Sequence, residues 1–153
     1  MNYFSSYLLM SNATIYPVVV FKVILDKYPE DSLTEMAIIS EKINTYTINN
    51  VLLSPYARNI NSEFQAILSN GQFLISHILK IRELLYPRVL QFGVGIGSVT
   101  TPINNVGAVL IEGRAERLAR KLLKSSPKYG HSLKIGGFSS KIDTLIDPIA
   151  ELI

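Results

Sequence analysis

Three groups of residues in this chain have the types and spacing to do chemistry. The first is Glu63, preceded by Asn61 and Ser62 between two apolar runs. A carboxylate on a tight turn can ligate a hard cation or take up a proton, although a lone Glu on a strand commonly serves as a solvated cross-strand partner. The second is Gly93, Gly95 and Gly97, which alternate with Phe92, Val94 and Ile96. At the strand period of two they form one bare face, which admits a helix, another backbone or a ligand; packing is the commoner use. The third is Arg114, Arg117, Lys121 and Lys124 at i, i+3, i+7 and i+10, with Arg120 beside them. On a helix these make one stripe, able to contact phosphates or simply to be solvated, with Glu116 as a local partner.

Several chemistries are excluded. The chain has no Cys, which removes disulfides, thiolate catalysis and Cys-ligated zinc. His77 falls on the apolar side of its segment and His131 at a strand edge, neither with a partner at metal spacing. No G-x-S-x-G elbow or P-loop occurs, and GVGIG departs from the dinucleotide fingerprint because its third glycine comes one residue early. The Tyr residues are scattered rather than interleaved with basic ones, against an RNA-stacking platform. A net charge of +3 is too small to imply nucleic acid by itself. The start lacks a signal-peptide pattern and no apolar run is long enough to span a membrane, so the expectation is a soluble cytoplasmic protein. With 153 residues and 48% hydrophobic content, one compact domain over residues 1–153 is expected.

The elements that must position these groups follow from periodicity. Residues 16–25 are almost continuously apolar and β-branched, the pattern of a central strand, interrupted only by Lys22. Residues 31–44 read as a helix opened by a Ser32/Glu35 capping box. Residues 50–57 and 62–68 form a hairpin around 59–61. Residues 72–85 make a helix with Leu74, Ile78, Ile81 and Leu85 on one stripe, stopped by Pro87. After the glycine strand, residues 110–125 are helical with Ala115, Leu118, Ala119 and Leu122 inward. Residues 131–137 form a last strand and 141–153 a final helix. The order β-α-β-β-α-β-α-β-α predicts an α+β fold with a split βαββαβ, ferredoxin-like core: a mainly antiparallel sheet with helices on one side. Because the chain ends inside an expected helix, a further C-terminal segment is allowed for.

SEFQAIL (62–68), FGVGIGSVTT (92–101) and EGRAERLAR (112–120) occur in the order and spacing of SatD-like proteins. That family runs roughly GDEFQG-L, GIGIGE-I-T and DGPA followed by AR, so the chain resembles it over about residues 57–123. The SatD-like family is itself similar to the nucleotidyl-cyclase fold of GGDEF diguanylate cyclases. In those enzymes the end of the first strand and the hairpin supply carboxylates that hold two metal ions against nucleotide phosphates.

The departures matter more than the matches. Asn61-Ser62 stands where the pattern has Gly-Asp, and Lys22-Val23 where the first strand would end in Gly-Asp. Glu63 survives, Asp26 lies a turn later, and Glu112 and Arg114 replace the Asp and Pro of DGPA. The resemblance therefore implies a degenerate cyclase-like domain acting as a binding or regulatory module, with a homodimer, a nucleotide or phosphate-bearing ligand and no resident cofactor as the expectations. Its candidate ligand contacts are Asn61, Ser62, Glu63, Gly93, Gly95, Gly97, Arg114, Arg117, Arg120 and Lys121. A second reading is a Mg-dependent nucleotide-converting enzyme using Asp26 and Glu63. A third is a nucleic-acid-associated regulator using the basic helix 112–125.

Overall fold

The computed structural model describes residues 15–24, 32–46, 52–59, 62–103 and 110–137. The elements are β1 (Ile15–Ile24), α1 (Ser32–Tyr46), β2 (Leu52–Arg58), β3 (Phe64–Leu68), α2 (Leu74–Leu85), β4 (Val89–Ser98), α3 (Arg114–Lys124) and β5 (Ser132–Gly136). The expected final helix and Asp26 lie outside the described residues, as does Asn61. The five strands form one sheet in the order β2-β3-β1-β4-β5. All neighbours are antiparallel except β4 and β5, which run parallel and are joined through α3 as a βαβ unit. The first four strands with α1 and α2 are the ferredoxin-like core, and the fold class is the α+β one expected from element order.

β1 is central because its apolar run suits burial on both faces; Val18, Val19, Val20 and Phe21 are all fully buried. Alternation sends its side chains to two separate cores. Val19, Phe21 and Val23 pack with Met36, Ile39 and Ile43 of α1 and with Leu74, Ile78, Ile81 and Leu85 of α2. Val18 and Val20 pack with Ala115, Ala119 and Leu123 of α3. Register places Phe64 and Phe92 on either side of Phe21, with centroids 5.2 and 5.1 Å away. This cross-strand aromatic row adds to simple area burial on the α1/α2 side.

Helices on one side of the sheet hold for α1 and α2 only, because α3 covers the opposite face. The reason lies in β4, where Phe92 and Val94 face α1 and α2 while the glycines face away. A Cβ on Gly93 would lie 2.1 Å from the Ala119 carbonyl oxygen, and one on Gly95 2.0 Å from that of Ala115. The bare stripe is a seat for helix backbone. The helix begins at Arg114 rather than at 110 because Gly113 takes φ 134 at its entry, a conformation that favours glycine. Leu118 and Leu122, expected to point inward, are half-buried over Gly136 of β5, while Leu123 takes the fully buried position.

At α1, one carboxylate oxygen of Glu35, expected to serve the capping box, accepts a hydrogen bond from Arg88 Nε in the α2–β4 connection. The Ser32 side chain, the other half of the expected capping box, lies outside the described residues.

Candidate ligand site at the end of the first strand

Lys22 lies two residues beyond Val20 and so faces the α3 side of the sheet. The α3-side core ends before it: Lys22 is half-buried and directly opposite Gln91 of β4. Gln65 of β3 stands opposite Val20 on the same face and is almost wholly buried. The C-terminal end of β1 thus presents a cation flanked by amides, next to the β2–β3 turn.

Asn59 closes that turn. Its Nδ2 donates to Glu63 Oε1 and to Gln65 Oε1, each at 3.1 Å, while its Oδ1 accepts from the Glu63 backbone N–H at 3.1 Å. Its own N–H donates to the Glu63 carbonyl at 2.8 Å. One short amide side chain therefore fixes the hairpin register and holds the carboxylate of Glu63, a local pairing typical of Asn in turns. Ser62 is exposed and takes φ 58, the left-handed region a tight turn demands. Glu63 is half-buried beside it.

Gln91 is fully buried. Its Nε2 donates to the carbonyls of Pro127 at 2.7 Å and Gly130 at 3.0 Å, anchoring the α3–β5 connection to the sheet. Among the described residues its Oε1 has no hydrogen-bond partner. A buried carbonyl oxygen without a donor is costly, and because this one is closed to solvent a ligand N–H or O–H would reach it only if its surroundings open. Lys134, on the same face of β5, donates from Nζ to the carbonyl and hydroxyl of Ser125, 2.9 and 3.0 Å away. Among the described residues no carboxylate pairs with Lys22.

Of the residues singled out from sequence, Ser62 and Glu63 fall at this site. Gly93 and Gly95 are filled by α3 backbone, leaving no room for a ligand there; Gly97 is half-buried, its Cβ position 3.3 Å from the Ala115 N. The basic residues form a separate surface, pointing away from the sheet. Arg114, Arg117, Lys121 and Lys124 are exposed, whereas Arg120 is half-buried with its NH2 2.6 Å from Glu116 Oε1. Glu116, the local partner expected on this helix, is only 5% exposed. Asn59, Gln65 and Gln91 were not among the candidates. Their signal was faint: an Asn beginning a turn, and single Gln residues inside otherwise apolar strands.

Among the described residues no group of three or more His, Asp or Glu side chains is placed to hold a metal ion. Nor is any described helix long and apolar enough to cross a membrane. No protein-family model matches the chain, and no curated protein is significantly similar to it.

Proposed function

We propose that this chain is a catalytically degenerate cyclase-like module that binds a nucleotide or related phosphate-bearing ligand at the end of β1, with Lys22 meeting the phosphate charge. The observation that carries this reading is the juxtaposition of half-buried Lys22 with the unpartnered Gln91 Oε1, directly across the strand pair. A nucleotide offers both complements, an anionic phosphate for the ammonium and N–H donors for the amide oxygen. The resemblance of the turn at 62–64 to SatD-like sequences supports the same end of the sheet. There the cyclase-type pattern would hold metal with carboxylates, and here a lysine replaces that charge logic.

The test is thermal stabilisation by nucleoside mono-, di- and triphosphates, run in EDTA and again in Mg. A ligand that binds only the folded state at a hundred times its Kd adds about 2.7 kcal/mol. The expected result is stabilisation that persists in EDTA and disappears in Lys22→Met. Stabilisation that requires Mg and survives Lys22→Met would instead favour a metal-dependent site built on Glu63.

A further inference from the structure

We infer that the outer face of α3 is a docking surface for the phosphate backbone of double-stranded nucleic acid, distinct from the ligand site at Lys22. Every exposed residue of α3 is cationic: Arg114, Arg117, Lys121 and Lys124. At about 100° per residue these four fall within roughly 80° of the helix circumference, along about 15 Å of axis. The helix carries five basic residues against one acid, although the excess over the whole chain is only +3. That acid, Glu116, is buried and drawn onto Arg120, so it offsets little of the charge presented outward. A shallow groove of about 250 Å³ runs between Arg117, Arg120, Lys121 and Lys124, with Glu116 at its floor.

The composition of this face selects among polyanions. An amphipathic helix that lies on an anionic membrane must insert an apolar face, but the apolar face of α3 is spent on the sheet, with Ala115, Ala119 and Leu123 buried. A protein interface gains most of its energy from aromatic or other large buried anchors, and none projects outward from α3. Single-stranded nucleic acid is held largely by bases stacking on aromatic rings, which α3 also lacks. What remains is contact with regularly spaced backbone charge, for which a cationic row needs no apolar or aromatic help. A B-form strand carries one phosphate per about 3.4 Å of axis, so a row of about 15 Å spans about four of them.

Such binding is sequence-independent and depends steeply on salt. Fluorescence anisotropy of the full chain with a labelled 20-base-pair duplex, titrated with NaCl, is expected to give a log K against log salt slope of about −3.5. Arg117→Glu with Lys121→Glu is expected to weaken binding at least tenfold at low salt and to flatten the slope by about 2, with an unchanged melting temperature. If that pair perturbs folding, Arg117→Gln with Lys121→Gln gives the same reading without new charge, and Lys80→Glu on α2 serves as a control away from the surface. Absence of duplex binding at low salt would overturn the inference. So would a double variant that binds as wild type does, or equal affinity for polyglutamate, phosphatidylserine vesicles or single-stranded DNA. Lys22→Met should leave duplex binding unchanged, so failure here and failure of the nucleotide-site reading are separable.

Discussion

The Tyr56 hydroxyl lies 3.0 Å from Nε2 of His77, and the two rings stack with centroids 5.7 Å apart. This pair ties β2, an edge strand, to α2 from inside the core, where both residues are buried. Burial pushes the Tyr56 pKa up, so its hydroxyl keeps its proton and can donate to a neutral imidazole. Burial also pushes His77 down, from 6.5 to about 4.

A pH dependence of stability follows. The folded state holds His77 neutral while the unfolded chain takes up a proton below 6.5. Its contribution is therefore complete above pH 6.5 and is lost as pH falls toward 4. A shift of this size corresponds to up to about 3 kcal/mol. Urea unfolding across that window should show the loss, and His77→Leu, though less stable at neutral pH, should show a flatter slope. Equal slopes in the two proteins would remove His77 as the cause.

Glu35 and Arg88 form another side-chain tie between distant segments, joining α1 to the α2–β4 connection. The hydrogen bond from Arg88 lowers the Glu35 pKa from its ordinary 4.5. A depressed carboxylate contributes stability above its unfolded value and loses that contribution as pH falls through the folded one. With both groups partly exposed, a double-mutant cycle of Glu35→Gln and Arg88→Met should give a coupling of about 1 kcal/mol at neutral pH. That coupling should vanish in acid well below pH 4.5. Additive single variants at neutral pH would show that the pair is only a neighbourly contact.

Gly95 and Gly71 provide a matched contrast. A methyl at Gly95 would meet the Ala115 carbonyl oxygen at 2.0 Å and the Ala119 N at 2.8 Å, backbone atoms that a side-chain rotation cannot move. Gly71 has nothing within 4 Å of its Cβ position. Gly95→Ala should cost about 2–3 kcal/mol, since α3 must lift from the sheet, and Gly95→Val should cost no less. Gly71→Ala should stay within about 0.5 kcal/mol of wild type. A melting temperature unchanged at Gly95 would mean that α3 does not sit where the glycines place it.

Element order and the central strand were legible because β-branched runs and helical stripes are statements about burial, which sequence records directly. The use of the glycine stripe was only half legible. Period two identifies a bare face at 93, 95 and 97, but whether helix or ligand fills it depends on which side of the sheet α3 crosses. Glu116 pairs locally, with Arg120, as its place on the helix suggests, but its burial was not legible, because helical spacing gives its angle on α3 and says nothing of what lies over it. Asn59 and Gln91 were missed for a related reason. Each acts through long-range geometry, the clamp on Glu63 and Gln65 or the tie to Pro127 and Gly130, and one polar letter in a strand or turn does not reveal its partners. The motif at 62–68 drew attention to the turn beside the end of β1, yet the cation opposite Gln91 is visible only once β1 and β4 are in register.

The final prediction is that the purified chain neither cyclises nor condenses nucleoside triphosphates. Phosphoryl-type chemistry relies on metals positioned to neutralise charge on phosphate oxygens, and a two-metal site needs several carboxylates to hold its ions about 3.5–4 Å apart. At the end of β1 the chain presents Lys22, whose ammonium repels a metal ion, and at the turn the exposed Ser62, whose hydroxyl lacks the charge of an aspartate. The carboxylate of Glu63 is drawn toward Asn59. Incubation with each nucleoside triphosphate and Mg or Mn, followed by product analysis, should return unreacted substrate. Turnover that Glu63→Ala abolishes would sink this expectation and establish a metal-dependent enzyme. Turnover unaffected by Glu63→Ala, and removed by further purification, would point to a contaminant and leave Lys22 as the residue that meets the phosphates.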